Sequence, residues 1–237
     1  MTTILEKLKT EKRTHARLSD FVKIKHGYAF KGEFFSSQPT KDVLVTPGNF
    51  AIGGGFKAEK FKYYAGAVPD DYVLKAGDLV VTMTDLSVDA DTLGYSALIP
   101  QDADVRFLHN QRVGLVKQTN EGVDMGFLYY LMRTREYQSY VVGGASGSTV
   151  KHTSPDRIAS FEYDFPSIPT QQKVAEILSA YDKKVENNNK VIKNLEESAQ
   201  TIFDEWFTKF NFPGHEKVRS VSYTHLRAHE TKANLVC

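Results

Sequence analysis

The chain has 237 residues, of which 41% are hydrophobic and 25% charged, and its formal net charge is +1. This composition is ordinary for a soluble globular protein, and no apolar run approaches the roughly 20 residues that a membrane span requires. The N-terminal segment is charged throughout and lacks the apolar stretch of a secretory signal. We therefore expect a cytoplasmic protein with no membrane segment, built as one sizeable domain with an appendage or as two small domains.

The C-terminal tail, residues 221–237, is excluded from the interpretation of the fold. It begins VSYTHLRAHET, which back-translates to an in-frame sequencing-library transposase adapter, and its closing Leu235-Val236-Cys237 fits the continuation of that adapter. We interpret the tail as a sequencing-adapter scar, with a genuine polar tail as the alternative, and residues 213–220 as the start of a truncated linker. Without the tail the net charge is zero. The only cysteine is lost with it, which leaves no disulfide, thiolate nucleophile or cysteine-ligated zinc site.

The first half of the chain has the pattern of a β-rich domain. Residues 1–16 are a polar lead-in, with a short helix expected from Ile4 to Arg13. From Leu18 to about Val116, short β-rich runs alternate with turn residues such as Gly53-Gly54-Gly55. This spacing predicts a curled, mainly antiparallel sheet. The runs are 21–24, 42–46, 72–74, 78–82, 95–99 and 112–116.

Helical and then extended patterns follow the β-rich half. Met125 to Val142 is predicted as a helix that Gly143-Gly144 ends, and Ile158 to Phe165 as a strand. Pro166 and Pro169 mark a hinge, which divides a domain at 17–168 from a helical segment at 169–212. The expected fold class is therefore α+β, a mainly antiparallel curled sheet with packed helices followed by one long coiled-coil helix.

The clearest periodic signal is this long helix, predicted from Thr170, its expected N-cap, to Phe207. Its seam positions alternate in steps of four and three over nearly five heptads, which is the spacing of a coiled coil. An amphipathic helix lying on its own domain is the alternative, but a helix on the order of 50 Å long outruns one small domain. The seam therefore needs a partner from outside the segment. Its positions are Val174, Leu178, Tyr181, Val185, Asn188, Ile192, Leu195, Ala199, Ile202 and Trp206.

Candidate catalytic and metal sites are weak. Pro155-Asp156 followed by Asp182-Lys183-Lys184 mimics the spacing of metal-dependent nucleases. That chemistry requires the carboxylates and lysine on adjacent strands around a magnesium ion, whereas Asp182 and Lys184 fall inside the predicted helix. The aspartates at 85, 89 and 91 lack the glycine and terminal glutamate of an EF-hand loop. We therefore expect no active site, no metal and no cofactor.

Cations interleaved with aromatic residues are better candidates for binding nucleic acid. They occur between Lys23 and Lys31 and again between Lys57 and Tyr64, and such patches can contact phosphates and bases even when the net charge is near zero. Solvated lysines around buried aromatics are the alternative. Gln111 and Arg112 are interpreted as the start of a strand. The candidate contacts are Lys25, Tyr28, Lys31, Lys57, Lys60, Tyr63, Thr82, Thr84, Ser87 and, in a small polar loop, Ser148, Thr149 and Lys151.

Six short motifs, taken in order, resemble the specificity subunit of type I restriction–modification systems. Each is weak alone, but together they cover roughly Leu18 to Phe212. They are HGYAFK at 26–31, LKAGDLV at 74–80, NQRV at 110–113, GASGST at 144–149, PSIPTQQKVA at 166–175 and FDEWF at 203–207.

The resemblance implies a target-recognition domain followed by a spacer helix. In the family two such units lie in tandem, their helices pair antiparallel, and each domain recognises one half of a split double-stranded DNA site. The subunit has no catalysis of its own. It binds modification subunits, which use S-adenosylmethionine to methylate adenine, and restriction subunits join for cleavage.

This chain departs from the family pattern because it carries only one unit. Its helix is therefore expected to pair with a second specificity half or to form a homodimer through the seam. Two other interpretations stay open: a coiled-coil scaffold or adaptor without DNA contact, and, more remotely, a nuclease.

Overall fold

The computed structural model of the chain describes residues 11–87 and 89–217. The predicted adapter scar and most of the expected Ile4–Arg13 helix lie outside these residues, and residues 11–13 are not helical. The strands are β1 (Thr14–Arg17), β2 (Val22–His26), β3 (Phe35–Ser36), β4 (Asp42–Val45), β5 (Lys62–Tyr64), β6 (Leu79–Thr82), β7 (Thr84–Asp85), β8 (Ser96–Leu98), β9 (Arg106–His109), β10 (Val113–Gln118), β11 (Lys151–His152) and β12 (Glu162–Phe165). The α-helices are α1 (Met125–Leu131), α2 (Arg135–Gly143), α3 (Pro155–Ala159) and α4 (Ile168–Phe203), and a π-helical segment at Asp204–Thr208, which includes Trp206, continues α4.

These strands pair in four small sheets, with the orders β2-β10-β6-β8, β3-β5-β4-β9, β1-β12 and β11-β7. Among the described strands, the pairings are antiparallel except for β4 with β9. The prediction of a mainly antiparallel α+β fold with one long helix is thus confirmed.

The β2-β10-β6-β8 sheet is packed on both faces. Val81 points into a cluster that also contains Leu128 and Tyr137 of the helices, while Val80 joins a second cluster with Val43 of the neighbouring sheet. Because both faces are covered, every residue of β6 is buried, as expected for a strand with a continuous apolar run. The loops at the strand ends are therefore carried by a rigid core.

The structure differs from the sequence-based prediction in the bounds of two elements. The helix expected from Met125 to Val142 is two helices, because the Thr134 hydroxyl accepts a hydrogen bond from the Tyr137 amide (3.3 Å) and caps a new helix. The strand expected from Ile158 begins only at Glu162, since the buried Ile158 lies in α3.

Part of the expected lead-in belongs to the domain. Its strand β1 pairs along its whole length with β12. Arg17 Nη2 lies 2.8 Å from Glu162 Oε1, and His15 Nδ1 lies 2.8 Å from Asp164 Oδ1. The hydrogen bond to Asp164 raises the pKa of His15 above its ordinary value. The domain therefore begins before residue 17.

Helix α4 begins at Ile168, two residues before the expected cap Thr170. The Glu11 carboxylate accepts hydrogen bonds from the Ser167 amide (3.2 Å), the Ser167 hydroxyl and the Thr170 hydroxyl (2.9 Å). The bond from the Ser167 hydroxyl is the largest cause of the lowered pKa of Glu11, and a carboxylate at a helix N-terminus is stabilising.

The chain divides into two compact units, the first ending at Ala180 and the second beginning at Tyr181.

Candidate nucleic-acid interface

The first cation–aromatic patch lies at the end of β2. Lys25 is already engaged within the domain, because its Nζ donates to the Asp71 carbonyl at 2.7 Å and lies 4.4 Å from the centre of the Tyr72 ring. Tyr28 is 37% exposed and packs edge-on against Phe30. Lys31 is exposed, and its Nζ is 3.7 Å from a Glu33 oxygen. Tyr28 and Lys31 are thus the members available at the surface.

The second cation–aromatic patch, residues 57–64, contains exposed lysines and the half-buried ring of Tyr63. Lys57 and Lys60 are exposed, and the Lys57 ammonium lies 3.1 Å from Glu59. Lys60 has a positive φ of 53°, and the chain bends at this residue. Tyr63 is half-buried against the core beside Val43. The lysines can therefore meet a ligand, whereas Tyr63 supports the loop that carries them.

The segment from Thr82 to Ser87 is mostly internal, which corrects one candidate. Thr82 is fully buried and its hydroxyl donates to the Thr84 carbonyl at 2.9 Å, so it cannot reach a base. Thr84 is 4% exposed, with its hydroxyl 3.1 Å from His152 Nδ1. Ser87 is half-buried, and its hydroxyl accepts from the Asp91 amide.

Asp85 organises the loop that follows β7. Burial acts to raise the pKa of its carboxyl, but hydrogen bonds from Ser87 and Thr92 outweigh this and lower the pKa below its usual value. The Thr92 amide and hydroxyl donate to Oδ2 at 2.6 and 2.7 Å. A carboxylate satisfied in this way holds a loop in one shape rather than serving as a free acid.

The polar loop at Ser148 and Thr149 is exposed and leads into Lys151. Pairing of β11 with β7 sets Lys151 opposite Asp85 and His152 opposite Thr84. Two candidate segments that are far apart in the sequence are therefore neighbours. The backbone turns at Gly147, whose φ is +95°, and a Cβ there would lie 2.0 Å from the Val150 carbonyl oxygen. This position consequently requires glycine.

Gln111 and Arg112, predicted as the start of a strand, lie instead in the turn between β9 and β10. Strand β10 begins only at Val113, and both side chains are exposed at the turn after β9. Val113 and Leu115 are indeed buried. The available signal was the pair of polar residues between two buried runs, because such pairs mark loop tips where binding residues concentrate.

The seam of α4 is exposed over most of its length. Val174 packs against the core of the first unit, but Tyr181 and Leu195 are 66% and 64% exposed. Asn188 is exposed as well. The other predicted seam positions with exposed apolar or aromatic side chains are Leu178, Val185, Ile192, Ala199, Ile202 and Trp206.

The structure does not support the nuclease interpretation. The nuclease interpretation requires Asp182 and Lys184 to lie on adjacent strands. Both residues lie instead within the helix α4. Across residues 11–87 and 89–217, no three histidine, cysteine or acidic side chains are grouped so that they could hold a metal ion. The described helices include none that is both long and apolar enough to cross a bilayer.

A match to a known family covers most of the chain. Residues 11–197 match the family model described as the type I restriction modification DNA specificity domain. The chain therefore belongs to that family. Specificity subunits are the non-catalytic components of type I restriction–modification systems.

Curated relatives and solved structures agree with this assignment. The chain is 34% identical over 90 residues to the type I restriction enzyme MjaIX specificity subunit of Methanocaldococcus jannaschii and 32% identical over 99 residues to the HindI specificity subunit of Haemophilus influenzae. These alignments cover 38% and 40% of the chain but only 21% of either relative.

The fold also resembles the crystal structure of a type I system S subunit from M. genitalium. The TM-score is 0.61 at 17% identity, over 84% of this chain and 47% of the other. A chain from a second type I system structure gives a TM-score of 0.52 at 12% identity, over 82% of this chain and 45% of that one. The chain thus spans about half the length of these solved subunits.

Proposed function

We propose that this chain is the DNA-recognition component of a type I restriction–modification complex. In this proposal the domain built from β1 to β12 contacts one half of a bipartite duplex target, and the exposed seam of α4 pairs with the helix of a second specificity unit. The complex acts in the cytoplasm, where the chromosome lies. The observation that carries the proposal is the family match over residues 11–197.

The surface of the domain supports contact with DNA. Lys31, Lys57 and Lys60 are exposed on loops, where their ammonium groups can replace counterions along a phosphate backbone. Ser148 and Thr149 add exposed hydroxyls, which are common phosphate ligands. Lys31 and Lys57 each have a glutamate within 4 Å, but the four side chains are 45–72% exposed, so these ion pairs are weak and exchange readily for phosphates.

The helix supports assembly with partners. Apolar side chains repeated at heptad spacing and left exposed are costly in water, because each buried leucine-sized side chain stabilises by about 1.5–3 kcal/mol. An antiparallel helix with the same seam is the matching surface. We assign that helix to a second specificity unit, supplied by another copy of this chain, and the docking of modification and restriction subunits to the resulting complex.

A salt titration with duplex DNA tests the proposal. The chain is combined with its modification subunits, and the equilibrium constant for a duplex selected from a randomised pool is measured between 50 and 200 mM salt. We expect binding that weakens steeply, with a slope of log K against log salt of about −0.9 for each phosphate neutralised. Absence of binding at the lowest salt, with the complex assembled, would contradict the proposal and favour a scaffold without DNA contact.

A further inference from the structure

A cleft of about 430 Å³ lies beside the candidate contacts and shares only Thr84 with them. Its walls are the end of β2, the turn between β9 and β10, and the β7–β11 pair. The lining includes a guanidinium, a primary amide, two imidazoles and two hydroxyls, and it contains no carboxylate. The side chains that provide these groups are Arg112, Gln111, His26, His152, Thr84 and Thr153.

One wall is fixed by an unusually close approach of two backbones. The Tyr28 amide donates to the His109 carbonyl at 2.8 Å, and the Gln111 amide donates to the Tyr28 carbonyl at 3.0 Å. A Cβ on Gly27 would lie 2.1 Å from the Asn110 carbonyl oxygen, so only glycine permits this approach. The turn that carries Gln111 and Arg112 is therefore held rigidly against the end of β2.

The turn is also braced from within. The Val113 amide donates to the Asn110 carbonyl, and the Arg112 amide donates to the Asn110 side chain, both at 3.0 Å. His109 is fully buried and its Nε2 lies 2.8 Å from the Val113 carbonyl. Backbone groups are thus satisfied inside the turn, and the Gln111 and Arg112 side chains are left for an outside partner.

The Arg112 guanidinium and the Thr153 hydroxyl are lining groups without a partner in the described part of the chain. Within residues 11–87 and 89–217, the Arg112 guanidinium forms no ion pair or hydrogen bond, whereas the Arg17 and Arg106 guanidiniums each bind a carboxylate. On the opposite wall, Thr153 Oγ1 is buried without a hydrogen-bond partner in the same described part of the chain. A free cation and an unsatisfied buried hydroxyl in one cleft indicate a polar ligand, because buried polar groups are nearly always hydrogen-bonded.

We propose that this cleft binds a phosphodiester of the DNA backbone, with Arg112 and Gln111 as its principal ligands and His26, His152 and Thr153 around them. The inference rests on the proposed function and names a contact within it. The chemistry favours phosphate because the group only accepts hydrogen bonds and carries a negative charge, and the lining supplies donors with no carboxylate to repel it.

The shape of the cleft also favours phosphate over a base edge. Base edges lie at the floor of a major groove about 8.5 Å deep, so a protein reaches them with side chains that project from its surface. A phosphodiester is instead the outermost part of the duplex and can enter a concave surface. A guanine, which Arg often binds through O6 and N7, is the alternative ligand.

The test compares Arg112→Ala with Arg135→Ala, an exposed arginine on α2 that does not line the cleft. Each variant is assembled with the modification subunits, and its affinity is measured for the duplex selected by the wild type and for an unrelated duplex. We expect Arg112→Ala to weaken binding to both duplexes by the same factor, about five- to tenfold, and to reduce the salt slope by about 1. Arg135→Ala is expected to match the wild type.

Three results would overturn the inference. A loss confined to the selected duplex would show a base contact, and unchanged binding to both duplexes would show that the cleft does not meet DNA, while the proposed function stands in either case. Failure of the wild-type complex to bind any duplex would remove the proposed function as well. Gln111→Glu, which places a negative charge in the cleft, serves as a second variant and is expected to weaken binding to both duplexes more than Gln111→Ala does.

Discussion

His109 shows how one buried side chain makes the domain sensitive to pH. It has no exposed surface, and burial lowers the pKa of its imidazole from 6.5 to about 4. Between these values the unfolded chain takes up a proton that the folded chain does not, so stability falls as the pH falls through this window. The neutral ring donates from Nε2 to the Val113 carbonyl. His109 therefore helps to stabilise the turn between β9 and β10.

We predict that the free energy of unfolding of the wild type drops by up to about 3 kcal/mol between pH 6.5 and 4 through this group alone. In His109→Gln a side-chain amide replaces the imidazole as the hydrogen-bond donor, and this amide cannot titrate. We therefore expect the variant to lose this part of the pH dependence, and to be less stable than the wild type at neutral pH. Urea unfolding at pH 7 and pH 4.5 measures the difference. Equal pH dependence in both proteins would contradict the prediction.

The contact between the end of β2 and the turn after β9 can be tested through its glycine. In Gly27→Ala the new methyl group would meet backbone atoms of Asn110 at 2.1 and 2.3 Å, and backbone cannot move aside as a flexible side chain can. We expect a loss of about 3 kcal/mol or more, which corresponds to a fall of roughly 6–12 °C in the thermal unfolding midpoint for a domain of this size.

Gly32→Ala is the matched control for that substitution. The atom nearest to its added methyl group is a Phe35 ring carbon at 3.8 Å, an ordinary contact distance, so the midpoint should stay within about 2 °C of the wild type. Similar shifts in the two variants would mean that the close approach is not what makes Gly27 necessary.

Elements with a strong period or a strong stop signal could be predicted from the sequence, and those decided by a single cap could not. Helix α4 was expected because its heptad pattern continues over many turns, and α2 ends at Gly143 as its glycines indicated. The break before Thr134 was missed because apolar residues continue on both sides of it. The start of α4 was misplaced because Glu11, more than 150 residues away in the sequence, binds Ser167.

The exposure of the candidate lysines could be predicted from the sequence, but the cleft could not. Lys31, Lys57 and Lys60 are local features of composition, and they are exposed as such residues usually are. The cleft depends instead on which strands pair: β7 with β11 brings Thr84 to His152, and the Gly27–Asn110 contact brings Gln111 beside β2. Neither of these contacts can be predicted from the local pattern of residues in the sequence.

At the scale of the whole molecule, the exposed seam of α4 predicts assembly through this helix. We predict that the chain self-associates and that Leu195→Glu, which places a charge in the seam, raises the dissociation constant at least about a hundredfold, equivalent to roughly 3 kcal/mol. The control is Asn194→Glu, which adds the same charge one residue away and outside the seam. Sedimentation of both variants measures the effect. Equal weakening by the two substitutions, or a monomeric wild type at tens of micromolar, would contradict the pairing.

The β1–β12 pair has a consequence for how the domain folds during synthesis. His15 and Asp164 are 149 residues apart, and the N-terminus leaves the ribosome first, so β1 waits without a partner until β12 has been made. An unpaired strand is a template for aggregation unless charges interrupt it. The sequence of β1 is Thr-His-Ala-Arg. We expect Arg17, whose guanidinium is always charged, to keep the unpaired strand from pairing with other chains until Glu162 has been made and binds it.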